Sequence, residues 1–296
     1  MKWKALIFVS LLYSTSLLAG TTGTNCDLDR PYFNKKKDIL IAQFDSKPDP
    51  DDIHSQAALG SMILHPDLKG VNVYAVSGAV GEQNGLFLDS RELFNAAFGK
   101  RWTAANEDWS RALEDIVDIV LPIIKKGGKV WVQEAGQSNF TAAWVREISK
   151  TLSVSTVKNS VIVVQHSNWN ENQTNKDDLA YVKEVATYFS IDDGNVDPSE
   201  DYGKRDRGPY TTPGYRSNDS KWMTLAKESR NAKVRKLWIL ADGIIDSYFP
   251  DGFEHQWSAL YYGGVDYSDC CENWWILNIG ELADSHEKFW TRYVTK

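Results

Sequence analysis

Several signatures that most readily announce a function are missing from this chain. It has no G-x-G-x-x-G turn, no Walker loop and no G-x-S-x-G elbow, which leaves dinucleotide-dependent, phosphoryl-transfer and serine-hydrolase chemistry without support. Cysteine is scarce: Cys26, Cys270 and Cys271 are the only three. No histidine stands close to them in the sequence, so they form no zinc motif. In an oxidising compartment their expected use is structural, with Cys26 bridged to one of the adjacent pair, since a bridge between Cys270 and Cys271 themselves would be strained. An excess of positive charge is also lacking, with 33 Lys and Arg against 40 Asp and Glu and a formal charge of −7. An acidic chain repels polyphosphate, so nucleic acid is not an expected partner. Beyond the first 20 residues no apolar run is long enough to span a bilayer. There is no internal repeat, no low-complexity tract and no shift of composition that would mark a second domain.

What is present begins with an export signal. Met1-Lys2-Trp3-Lys4 precedes an apolar run over residues 5–19 and a stretch of small residues, Gly20-Thr21-Thr22-Gly23. A basic start, a short apolar core and small residues after it describe a secretory signal over residues 1–23. The run is broken by Ser10, Ser14, Thr15 and Ser16, which argues against a membrane anchor. The expected organisation is therefore a leader at 1–23 and one domain at 24–296, located in the periplasm or outside the cell. Loss of Lys2 and Lys4 with the leader takes the charge from −7 to −9. The twelve Trp residues are an unusually large number. Flat aromatic faces suit sugar rings, although most are expected to be core.

Apolar segments of strand length at 38–44, 71–76, 129–133, 160–164, 188–191 and 236–240 alternate with helical periodicity at 51–65, 86–98, 109–126, 141–150, 177–187 and 221–230. Strands that are apolar throughout and alternate with helices indicate an α/β, Rossmann-like, mostly parallel sheet with helices on both faces. The Gly-, Pro-, Asp- and Asn-rich stretch 192–220 is too long for an ordinary connection and reads as a functional lid. Ligands of open parallel sheets sit beyond the carboxyl ends of the strands. Polar clusters begin at four such ends: 45–52, 134–139, 165–171, and Asp242 with Asp246.

In the first cluster, Asp45, Asp49, Asp51 and Asp52 fall within eight residues. Their mutual repulsion is relieved by a hard cation, and oxygen ligands favour Ca²⁺ or Mg²⁺ over zinc; the alternative for Asp51 and Asp52 is capping of the helix that follows. The segment Asp45-Ser46-Lys47-Pro48-Asp49-Pro50-Asp51-Asp52 resembles the D-T-D-P-G-x-D-D motif of the nucleoside hydrolase superfamily, with Asp45, Pro48, Asp51 and Asp52 matching. The resemblance implies a nucleoside-hydrolase-like fold, Ca²⁺ held by Asp45 and Asp52, and Asp51 on the sugar hydroxyls. Lys47 stands where the family has the aspartate that binds calcium and takes the proton from water, and Asp49 stands at its glycine. By the same resemblance Asp45 or Asp49 inherits the base role, or the metal is absent and Lys47 neutralises the cluster. Ala135-Gly136-Gln137-Ser138-Asn139 is similar to the family's G-x-L-T-N turn, and Asp266 or Asp269 would correspond to its late calcium-binding Asp.

Glu134, at a strand end before Gly136, is a candidate proton donor if Trp131 or Trp169 desolvates it; a salt-bridged rim residue is the alternative. His166 is the one histidine of five within a strand-end polar cluster, beside Ser167, Asn168, Asn170 and Glu171. His54, inside the acidic motif, is a second candidate. A loop starting at Asp193 imitates an EF-hand at Asn195 and Asp197 but fails at Pro198 and Lys204. Aromatic residues from Phe249 to Trp275 are mainly core, with part of them a possible sugar-stacking wall. The expected activity is hydrolysis of a glycosidic bond in a sugar, glycoside or oligosaccharide. Asp45, Asp49 or Asp52 would activate water and Glu134 or His166 would protonate the leaving group. Lys47, Asp51, Gln137, Asn139, Asn168, Asn170, Glu171 and Asp269 would contact the substrate. The alternatives are a sugar-binding relative that has lost its base, for which Lys47 speaks, and a glycan lyase using His166 and a tyrosine.

Overall fold

A strand covered on both faces reads as a nearly continuous apolar run, and four segments of this chain fit that pattern, with polar residues confined to their carboxyl ends. The computed structural model describes residues 30–47, 50–81, 83–195, 211–255 and 258–295. Residues 32–296 form one compact unit; the expected leader and Cys26 lie outside the described residues. In this unit β1 (Ile39–Phe44), β2 (Val73–Ser77), β3 (Trp102–Ala104), β4 (Val130–Ala135), β5 (Val161–His166) and β6 (Thr187–Ile191) form one sheet. Every neighbouring pair is parallel, in the order β3-β2-β1-β4-β5-β6. The four inner strands are buried throughout, and the two edge strands only in part. This is a Rossmann-like α/β sheet, whose order reverses between β1 and β4 and so opens a crevice at their carboxyl ends.

The helices among the described residues are α1 (Asp51–Leu64), α2 (Arg91–Phe98), α3 (Trp109–Lys125), α4 (Asn139–Ser149), α5 (Val154–Ser160), α6 (Asn168–Gln173), α7 (Lys176–Val185), α8 (Lys221–Lys227), α9 (Ala232–Tyr248), α10 (Cys270–Ile276) and α11 (His286–Phe289). Alternate strand residues point to opposite faces, and two cores result. Leu40, Ala42, Phe44 and Trp131 pack with α1, α2, α8, α9, α10 and α11. Ile39, Ile41, Val130 and Val132 pack with α3, α4, α5 and α7. A short antiparallel pair, β7 (Arg216–Ser217) with β8 (Val265–Asp266), leads into α10. The C-terminus is pinned where Arg292 Nη2 and Tyr293 Oη donate to Asp67 at 2.8 and 3.1 Å.

Residues 236–240 are not the sixth strand but part of α9. Five apolar residues suit either state, and here the longer register decides: Val234, Leu237, Trp238 and Ala241 are buried at helical spacing. The Asn231 side chain caps the helix by accepting from Lys233 N and Val234 N. Asp242 and Asp246 consequently leave the sheet rim; Asp242 pairs with Lys227, and Asp246 is exposed. The strand missed in the sequence, β3, is only three residues long and lies at the edge. Most of the 192–220 stretch, residues 196–210, lies outside the described residues.

The α1–α9 crossing is close because Gly60 has no side chain. A Cβ there would lie 2.8 Å from Leu237 Cδ1 and 3.0 Å from Ala97 Cβ. Gly60→Val is expected to lower the unfolding free energy by about 1–3 kcal/mol through overpacking, measured by urea denaturation. An unchanged midpoint would contradict this contact.

Candidate functional site

The ends of β1, β4 and β5 lie side by side, and each is followed by a backbone turn with positive φ: Ser46 at 58°, Gly136 at 138° and Ser167 at 68°. For a serine this conformation costs free energy and persists only where surroundings enforce it. Ser46 is held on three sides. Its N–H donates to the Asp52 carboxylate, its carbonyl accepts from Leu88 N at 3.0 Å, and its hydroxyl accepts from Gln56 Nε2 at 3.1 Å. At Gly136 a Cβ would stand 2.8 Å from the Asp45 Cβ, so glycine allows the end of β4 to pass beside Asp45. The sharp exits from β1 and β4 thereby place Asp45 and the first turn of α1 next to each other.

Asp52 is almost wholly buried, at 2% exposure. Burial, then the charges of Asp269, Asp45 and Asp51, hold its carboxyl well above the usual range. Asp269, the residue before α10, is its neighbour, and burial raises this carboxyl to about 6 although His166 opposes the shift. Burial likewise raises Asp266 to about 7. Asp45 Oδ1 accepts from Lys47 N at 3.0 Å, and Asp51 Oδ1 accepts from Asp52 N at 2.9 Å. Asp52 Oδ1 and Asp269 Oδ2 are buried and have no hydrogen-bond donor among the described residues. So crowded a group cannot be fully ionised without a counter-ion; protons or a cation must share it.

His166 stands on the other side of Asp269, its Nε2 3.9 Å from Asp269 Oδ1. Its Nδ1 lies 2.8 Å from Glu272 Oε1, and its backbone N–H donates to that same oxygen at 3.0 Å. Burial is the largest influence and opposes charging of the ring, but Glu272 and Cys271 together outweigh it and lift the pKa well above the ordinary histidine value. Cys271 completes this group, its Sγ 3.5 Å from Glu272 Oε2. Glu272 and Cys271 are the residues that sequence reasoning missed as partners of His166. The one signal for them is a glutamate and an asparagine inside an otherwise apolar helix, each fully buried on α10.

Other candidates are drawn into supporting bonds. Glu134 lies on the α4 side of the sheet and accepts from Ser138 Oγ at 2.6 Å and from Thr141 Oγ1. Burial raises its carboxyl to about 7 against those two bonds. Neither expected tryptophan is the cause: Trp131, three residues earlier, faces the opposite core and bonds to Asp38, and Trp169 is exposed. Gln137 accepts from Gly81 N at 3.0 Å and donates to Gln83 Oε1 at 2.6 Å, while Asn139 donates to Asp178 at 2.8 Å. The Lys47 ammonium donates to the Gln83 carbonyl. Asn168 and Asn170 ride on α6, and Glu171 pairs with Lys183 at 2.8 Å. His54 Nδ1 accepts from Asp266 N at 3.2 Å, and burial lowers its pKa to about 3, so it serves as a neutral backbone acceptor. Tyr267 and Trp275 are core, Tyr261 and Tyr262 are exposed, and Asp49 and Trp257 lie outside the described residues.

Cys270 and Cys271 are both buried and free among the described residues, and Cys26, the expected bridging partner, lies outside them. No helix among the described residues is long and apolar enough to cross a membrane. Comparison of the chain with models of known protein families, with curated proteins and with solved structures gave no match.

Glu134 makes stability pH-dependent in a definite direction. Because its folded pKa is raised from 4.5 to about 7, its contribution is greatest below pH 4.5 and is lost as pH rises through 7. Glu134→Gln is expected to remove a fall in unfolding free energy on the order of 2–3 kcal/mol across that window. Urea denaturation from pH 4 to 8 measures it; an unaltered slope would show that Glu134 does not titrate in this way.

Proposed function

We propose that this chain hydrolyses a glycosidic bond, O- or N-linked, in a sugar, glycoside or oligosaccharide. The observation that carries the proposal is the convergence of Asp45, Asp52 and Asp269 at the carboxyl ends of the parallel strands, with both Asp52 and Asp269 raised by burial, Asp52 further by the charge of Asp269 and Asp269 further by that of Glu272. Hydrolysis through an oxocarbenium-like transition state needs two carboxyl groups in different ionisation states. Crowding supplies that difference. Asp269, titrating near pH 6, is suited to give a proton to the leaving oxygen or nitrogen. Asp45 orients the attacking water and takes its proton, and Asp51, at the start of α1, is placed to meet sugar hydroxyls. Glu134 braces the turn after β4 rather than meeting the substrate.

The donor set also fits the calcium ion that the resemblance to nucleoside hydrolases implies. The donors around Asp52 are carboxylate oxygens, and Asp52 Oδ1 is buried without a hydrogen-bond donor. Asp45 and Asp52 are the residues that would hold it, and a calcium ion there would supply a lowered water pKa and a charge to attract sugar hydroxyls.

Asp52→Asn is expected to lower kcat/KM by about 100-fold or more on whichever substrate is turned over among nitrophenyl glycosides, nucleosides and oligosaccharides, with an unchanged circular dichroism spectrum. Wild-type turnover by this variant would remove the proposal. One observation favours a second reading, a sugar-binding protein without catalysis: Lys47 occupies the family's base position, and its ammonium is bound to the Gln83 carbonyl. Calorimetric binding of a sugar with no product formed would select that reading.

A further inference from the structure

His166, Cys271 and Glu272 each present one ligand atom, and the three atoms lie within 4.8 Å of one another with all three residues buried. From this geometry we propose that the end of β5 and the first turn of α10 form a binding site for a zinc-like divalent transition-metal ion, adjoining the oxygen-only group around Asp52 through Asp269. One imidazole nitrogen, one thiolate and one carboxylate make a set that borderline-soft cations favour and that Ca²⁺ and Mg²⁺ do not.

Two observations beyond the cluster itself point to an ion. His166 Nδ1 comes to 2.8 Å from Glu272 Oε1 yet lacks the alignment of a hydrogen bond, and the Cys271 thiol also adjoins the ring. A metal ion accepts such an approach, because it binds each ligand along its own lone pair. Asp269 is the second: its Oδ2 is buried with no donor, and its Oδ1 lies 3.9 Å from the other ring nitrogen. It therefore borders the cluster as a candidate fourth ligand or as the group that holds a metal-bound water. Three protein ligands with one further position is the arrangement of open zinc sites. Charge is also accounted for. A thiolate and a carboxylate carry two negative charges, so a divalent ion gives a neutral complex that can be buried without a counter-ion. On binding, the Cys271 thiol and a protonated His166 release their protons to solvent as the metal takes their place.

The surrounding backbone leaves little room for anything larger than an ion. A Cβ on Gly194 would lie 2.8 Å from Cys271 Sγ, so the loop after β6 packs directly over the thiol. Cys270, one residue earlier, is excluded as a ligand because its Sγ turns to the Ser55 carbonyl at 3.3 Å. The site does not depend on the glycosidase reading, and its test needs no turnover.

The full chain without its leader, unfolded in urea with a chelator and refolded with Co²⁺ or Zn²⁺, is expected to retain one equivalent of metal after desalting. The cobalt form should show a near-ultraviolet thiolate-to-metal absorption band. Cys271→Ser should abolish that band and weaken Co²⁺ binding by more than about tenfold, the scale on which even outer-shell groups act. Cys270→Ser should leave both unchanged. Where Cys271→Ser does not refold, Glu272→Gln, read by metal stoichiometry, serves in its place. Failure of the refolded wild-type chain to retain either metal would overturn the proposal. So would a charge-transfer band that survives Cys271→Ser or disappears with Cys270→Ser.

Discussion

Carboxyl groups stripped of water and set against one another cannot all keep their charge, and this electrostatic constraint governs the centre of the molecule. Asp52, Asp266 and Asp269 all have carboxyls raised by burial, and the His166 pKa is raised against burial by Glu272 and Cys271 beside it. A group of this kind is costly unless protons, partners or cations share the charge. The surrounding structure supplies partners on several sides: the Ser46 amide for Asp52, the Ser268 amide for Asp266, and the His166 ring for Glu272. What it leaves without a donor is Asp52 Oδ1 and Asp269 Oδ2. A proton shared between the carboxyls or a bound cation completes the arrangement at those atoms.

The sheet explains why the group forms at this place. Reversal of strand order between β1 and β4 leaves their carboxyl ends without a crossover helix above them. Into this gap come the N-terminus of α1 from one side and α10 from the other, the latter packing on β4 and β5. Backbone strain at Ser46 and Ser167 is tolerated because neighbouring groups hold it. Buried amides beneath the rim add rigidity. Gln43 donates to Thr141, Gln133 accepts from Asn273, and Gln165 donates to the Gly136 carbonyl, so the turns are braced from below.

Part of this was legible from the chain alone. Apolar runs at the four inner strands, each followed by helical periodicity, carry the layer order directly, because a strand buried on both faces admits polar residues only where a partner satisfies them, as at Gln43, Gln133 and Gln165 near the strand ends. The acidic turn after β1 and the polar cluster after β5 were legible for a related reason: polar residues that begin where an apolar strand stops can only sit on the rim. The segment 236–240 was misread because five apolar residues satisfy a strand and a helix equally, and the caps and register that decide lie outside that window. Glu134 was legible as a perturbed carboxyl, but not its direction. Ser138 and Thr141 reach it on the α4 side, and the parity of its position on β4 turns it away from Trp131.

The pairing of His166 with Glu272 spans 106 residues, and no local pattern announces a contact made through folding. The absence of a histidine near the cysteines in sequence argued against a metal site, whereas the fold sets Cys271 and His166 together. By itself the sequence determined the α/β layering and the acidic character of the rim, since both follow from short-range periodicity and composition. Only the tertiary structure decided which carboxyls meet, which way Lys47 and Glu134 point, and which thiol faces the histidine. Those outcomes depend on strand order and helix docking, where the energies of distant residues are settled jointly.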